Sequence, residues 1–274
     1  TWHPLFGEVL PSIVNLNTGC PFQPFSRSPQ LQYNYKFSRF NIKAAAVFQN
    51  QYRSSGPLGS KMLEYSRDAV LPEMFAGIDY RKEGFIVGVG ADVLTLTPRT
   101  QSTKGELTYK VSERNVSASL LAFASYSSEW WKLNAKTIYG QNNVHTLSLG
   151  GYGVTSIDPV TGAYDYVNFN HSTSWVNVVY GKKWQVGLFG GFTKNLGTNK
   201  PLVSSSMTYG MGMDIDKLYN MSVQTDYNIK NFTIGVEYSY SVADYGTIQT
   251  ATGKVTNTHA ADNHRIAALC NYSF

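Results

Sequence analysis

The side chains able to do chemistry are few and widely spaced. Five histidines, His3, His145, His171, His259 and His264, show no metal-ligand spacing. The sequence contains no nucleophile elbow, phosphate loop, zinc motif or dinucleotide fingerprint. Asn170-His171-Ser172 sets a base beside a hydroxyl, but neighbours on a strand face opposite sides and cannot meet. Asp214, Asp216 and Asp226 have the charge for calcium but lack the glycine and glutamate of an EF-hand loop. Asp214 and Asp216 read as solvated loop charges, with divalent bridging at an outer surface as the alternative. Cys20 and Cys270 form neither a disulfide framework nor a metal-type pair, so both are expected as free thiols. Neither an enzyme nor a bound cofactor or metal is expected.

The informative charges lie on the polar side of alternating segments. Alternation places Lys36, Lys43, Arg81, Lys132, Lys136 and Arg265 on one side, with Asp79, Asp92, Asp226 and Glu237. If that side lines a pore, the six bases and four acids make it slightly positive, and rings of Lys and Arg favour anions. The alternative is that these charges pair across the wall and fill a polar lumen. The formal net charge is only +5, without any block of basic residues, so nucleic-acid binding is not expected.

The elements carrying these charges are strands. Aromatic residues make up 14% of the 274 residues and charged residues 15%, too few charges to coat a soluble surface. Yet the mean hydropathy is −0.24, and no window approaches the roughly 18 consecutive apolar residues of a spanning helix. Trp131, Leu133, Ala135 and Tyr139 alternate with Lys132, Asn134 and Lys136; Phe232, Ile234, Val236, Tyr238 and Tyr240 repeat the pattern, as do Phe40, Ile42, Ala44 and Ala46. Tight turns at Ser38-Arg39, Lys82-Glu83-Gly84, Gly181-Lys182-Lys183 and Lys230-Asn231 alternate with long connections such as 49–71 and 140–170. Aromatic residues gather beside the tight turns, as an interfacial girdle requires. Short turns, long loops and strands of about 9–11 residues describe a transmembrane antiparallel up-and-down β-barrel, here a single domain over 1–274. Eleven strands plus a strand tail at Thr1–Phe6 give about 12, and the shortness of that tail implies that strands precede it.

One loop resists this pattern. Asn17–Gln30, NTGCPFQPFSRSPQ, is apolar and rich in proline, which cannot donate to a ladder. Since connections normally run polar over the surface, the loop is expected to fold into the barrel as a constriction formed by Pro21, Phe22, Gln23, Pro24, Phe25 and Arg27. Arg27 is its only charge. The expected pore-lining charges are Lys43, Arg81, Lys136, Arg265, Asp79, Asp92, Asp226 and Glu237.

Several stretches resemble a porin family of Bacteroidetes outer membranes: Trp2-His3-Pro4-Leu5-Phe6 with Pro21-Phe22-Gln23-Pro24-Phe25-Ser26-Arg27, Tyr180-Gly181-Lys182-Lys183, Phe189–Gly197 and Gly212-Met213-Asp214-Ile215-Asp216. At a distance the family is similar to trimeric, dicarboxylate-passing porins with sixteen strands. The resemblance implies a bacterial outer-membrane location, contact with lipid and lipopolysaccharide, a homotrimer and passive diffusion of small hydrophilic solutes. It also implies that Phe274, after Tyr272, is the terminal aromatic by which the barrel assembly machinery accepts the chain. A plugged structural or adhesion barrel is the alternative function.

Overall fold

The computed structural model describes residues 1–14 and 19–273. The strands are β1 (Gln30–Phe37), β2 (Phe40–Val47), β3 (Glu73–Lys82), β4 (Phe85–Leu96), β5 (Gln101–Lys104), β6 (Leu107–Lys110), β7 (Asn115–Ser127), β8 (Trp131–Gln141), β9 (Gly150–Ile157), β10 (Tyr164–Gly181), β11 (Trp184–Thr198), β12 (Thr208–Met211), β13 (Ile215–Ile229), β14 (Phe232–Ile248) and β15 (Val255–Tyr272). Eleven of them form one antiparallel meander in the order β1-β2-β3-β4-β7-β8-β10-β11-β13-β14-β15. Among the described residues, β5–β6 stands apart as a hairpin, and β9 joins β10 and β12 at the long-connection end. A helical turn, α1 (Glu64–Arg67), lies in the connection before β3.

Each tight turn falls where the sequence places it. Between β3 and β4, Glu83 and Gly84 have φ of 40° and 79°, the left-handed pair of a type I′ hairpin. A Cβ on Gly84 would meet the Ser127 carbonyl oxygen at 2.2 Å, so only glycine fits. Cross-strand register puts the expected outward residues in rows: Ala44 opposes Ala76 and Ala76 opposes Ala91, while Ala124 opposes Ala135 and Ala135 opposes Val176. At the tight-turn end the aromatic residues touch across strands, with Phe37–Phe40 centroids 5.4 Å apart, Phe40–Tyr80 5.3 Å and Trp131–Tyr180 4.6 Å.

Three expectations are corrected. The meander has eleven strands, not twelve, because Thr1–Phe6 forms no strand: Leu5, Phe6 and Val9 are buried against the inner wall, and the apolar gain of that packing replaces a ladder. The long connection expected over 140–170 is largely strand, holding β9 and the first residues of β10, which begins at Tyr164. Asn134 does face inward, but it is packed rather than wet: its amide donates to the Leu10 carbonyl at 2.9 Å and its carbonyl accepts from Ser125 at 2.7 Å. Asn17, Thr18 and Phe274 lie outside the described residues, and with Phe274 the assembly-signal expectation.

Parity predicts the effect of a charge on each face. Ala135→Arg, on the outward face, should cost about 2–4 kcal/mol if near the bilayer midplane. Asn263→Arg, on the inward face beside open space, should be close to neutral, whereas Asn134→Arg should destabilise by displacing the segment at Leu10. Urea titration of the protein refolded in lipid vesicles checks all three; equal losses at Ala135 and Asn263 would contradict the parity.

Candidate functional site

The site is the inner face of the sheet together with two segments laid against it, Thr1–Val14 and Cys20–Pro29. An extended segment in a lumen has no neighbouring strand, so wall side chains must supply its hydrogen bonds. Lys136 donates to the carbonyls of Leu5 and Phe6 at 3.3 and 2.6 Å. The Ser12 amide donates to Asn177 at 2.7 Å, and the same side chain donates back to the Ser12 carbonyl at 3.3 Å. The Val14 amide is shared by Gln224 and Glu237, both at 3.1 Å. Apolar contacts complete the attachment: Leu5, Val9 and Phe22 form one core with Ala45, Val47, Phe75, Leu121, Phe123, Ile138, Trp175 and Phe189 of the wall.

The proline-rich loop folds inward. Phe22 sits over Gly191, where a Cβ would come within 2.5 Å of the ring, and its ring lies 6.3 Å from that of Phe189. Gln23 bridges segment and wall, donating to the Phe6 carbonyl at 2.5 Å and accepting from the Trp175 indole at 2.9 Å. Pro24 is buried, and Pro21 and Phe25 partly so; the Phe25 amide donates to Thr146 at 2.7 Å. Burial pushes the Cys20 thiol up to about 12, and it donates to the Gln23 carbonyl at 3.0 Å. Arg27 is exposed, at the long-connection end, with its guanidinium 4.5 Å above the Trp2 ring rather than on Asp79 or Glu237.

The inward charges are mostly engaged. Glu8 of the lumenal segment takes Arg81 at 2.8 Å and Lys43 at 3.6 Å. Arg81 also donates to Asp79 at 2.5 Å, and Asp79 accepts from Asn41 at 2.9 Å. Asp226 accepts from Gln224 at 2.7 Å, and Asp92 is buried. Arg265, by contrast, is exposed and lines a cavity of about 220 Å³ with Asn220, Ser222, Ser239 and Asn263 of the wall and with Cys20 and Phe22 of the loop. Glu237 borders the same space.

The remaining reactive side chains are dispersed. His171 is buried on the inner side of β10, and its neighbour Ser172 lies on the other side of the strand. Asp216 is held by Lys194 at 2.5 and 2.6 Å, so it is not a solvated charge, and Asp226 lies toward the other end of the same strand, β13, on Gln224. Both cysteines are free. Sequence reasoning missed that His3 and His145 are buried and converge on Glu73, both at 2.9 Å. Their separation of 142 positions in the chain hides this, and no local spacing signals it.

No protein-family model matches the sequence, and no curated protein matches it. Among solved structures, the fold is similar to that of the outer membrane channel DcaP of Acinetobacter baumannii, with a TM-score of 0.71 and 15% identity over 100% of this chain and 70% of that one. It is also similar to OmpT, an outer membrane protein of Vibrio cholerae, with a TM-score of 0.50 and 11% identity over 89% of this chain and 63% of that one. At these identities the shared property is the antiparallel barrel fold.

Gln23→Leu should release the lumenal segment without opening the barrel. It strands the buried Trp175 N–H at a cost of about 1–3 kcal/mol. Hydrogen exchange should rise across residues 1–14 and stay unchanged in β8 and β10.

Proposed function

We propose that the protein is a bacterial outer-membrane channel giving passive diffusion of small hydrophilic solutes, with a preference for anions. The observation that carries this reading is the polar, Arg265-bearing cavity between the β13–β15 wall and the loop at Cys20–Phe22. Elsewhere the lumenal segment covers the wall with apolar contacts and consumes its charges, leaving this side for passage. The apolar outer face and aromatic girdle support placement in a bilayer, and the similar fold of DcaP, described as a channel, agrees with it. A closed sixteen-stranded barrel, assembly as a trimer and kinship with the Bacteroidetes porins are part of the proposal and rest on the motif resemblance.

The same lumenal segment favours a second reading, a plugged barrel with a structural or adhesive role. Planar-bilayer recording on the full-length protein separates the two. Stable ohmic steps are expected for a channel; silence from a well-folded barrel would favour the plug.

Selectivity should depend on Arg265 more than on the other inward bases. In a confined passage with an effective dielectric near 20, a unit charge at 4 Å is worth about 4 kcal/mol, against about 1 kcal/mol in bulk water. Lys43 and Arg81 face Glu8 and Asp79, so their fields are largely cancelled before reaching a solute. Arg265→Glu should move the reversal potential in a salt gradient toward cations. Lys43→Gln and Arg27→Glu should move it much less. A larger shift from Lys43→Gln would place the passage on the β2–β3 side instead.

A further inference from the structure

A group of side chains on the opposite side of the lumen has no part in passage. His3 Nε2 and His145 Nε2 each lie 2.9 Å from Glu73 Oε1. Ligand atoms of the three residues all fall within 4.8 Å of one another, and all three side chains are buried. They come from three separate places: the lumenal segment, the start of β3, and the helical turn Val144–Thr146 that folds in after β8. Asp92 is diagonal to Glu73 across the β3–β4 pair, where the register sets Phe75 opposite Asp92, and the two carboxyl groups interact.

Two features of this group are unusual for a purely structural cluster. Among the described residues, His145 Nδ1 is buried without a hydrogen-bond partner, and Glu73 and Asp92 set two buried carboxyl groups against each other, conditions that buried polar groups rarely tolerate. The groups acting on Glu73 are Asp92 and the two histidines, without a lysine or arginine. The buried Glu73 carboxylate therefore faces two imidazoles and a second carboxyl group with no fixed cation beside it, and a buried carboxylate calls for a positive partner. A divalent cation supplies one, and two imidazole nitrogens with the Glu73 carboxylate form a three-ligand donor set that zinc accepts with a fourth position left to water.

We propose that His3, Glu73 and His145 form a structural Zn²⁺ site that ties the lumenal segment to the start of β3 and to the turn after β8. This goes beyond the channel reading and does not rest on it. Ligation through Nε2 requires the ring proton to sit on Nδ1. That atom is unpartnered in His145, but in His3 it accepts from the Leu5 amide at 3.2 Å. Binding therefore moves the His3 proton from Nε2 to Nδ1 and breaks this bond, whose length puts it at the weak end of the range for N–H donors.

The test uses the full-length protein, stripped with chelator in denaturant and refolded with Co²⁺ alone. The proposal expects one Co²⁺ per chain with the visible absorption of a tetrahedral ion, displaced by Zn²⁺. Glu73→Gln and His145→Gln should lose the absorption, and His264→Gln, whose ring is exposed, should keep it. Metal analysis of protein refolded with Zn²⁺ should give a ratio near one for wild type, a measurement that stands even if the buried variants fail to fold. A ratio near zero, or absorption that persists in folded Glu73→Gln, would overturn the proposal. In that outcome His3, Glu73, Asp92 and His145 share protons rather than a metal.

Discussion

A chain segment inside a barrel must find partners for every amide and carbonyl without a strand beside it. That requirement organises the inner face of this protein. The wall answers with long polar side chains: Lys136 for the Leu5 and Phe6 carbonyls, Asn134 for Leu10, Asn177 for both polar groups of Ser12, and Gln224 with Glu237 for Val14. Each of these residues sits on the inward parity of its strand. The meander thus serves two demands at once, apolar toward the bilayer and hydrogen-bonding toward its own contents.

The same arrangement changes what the lumenal charges do. A lysine facing water in a pore acts on passing ions, but one facing a peptide carbonyl or a glutamate acts on the protein itself. Lys43, Arg81 and Lys136 are of the second kind. Their electrostatic work is to hold the lumenal segment, and the field available to a solute is left mainly to the β13–β15 side.

The proline-rich loop and the histidine–glutamate cluster play complementary parts in that attachment. The loop wedges Phe22 onto Gly191 and hooks Gln23 between Phe6 and Trp175, which fixes the middle of the lumen. His3 and His145 meet at Glu73 toward the long-connection end, where the segment enters. Two anchors at different depths give the segment a defined path rather than a loose one.

The sequence by itself determined the barrel. Alternation in β2, β4, β8 and β14 assigns every residue to a face, because successive strand side chains point oppositely, and the tight turns and aromatic girdle set both register and boundary. The inward fold of the loop was also legible, since its prolines and phenylalanines suit neither a ladder nor a surface. What the lumen contains was not. Phe75, Leu121, Phe123, Ile138, Trp175 and Phe189 stand at inward parity and break the polar pattern; that breach was the available sign of something apolar inside, and it points to no particular segment. Which partner each inward charge takes, and that His3 and His145 share one carboxylate of β3, depends on distances between residues far apart in the chain. Periodicity carries no information about such distances; only the packing of the wall against the first fourteen residues decides them.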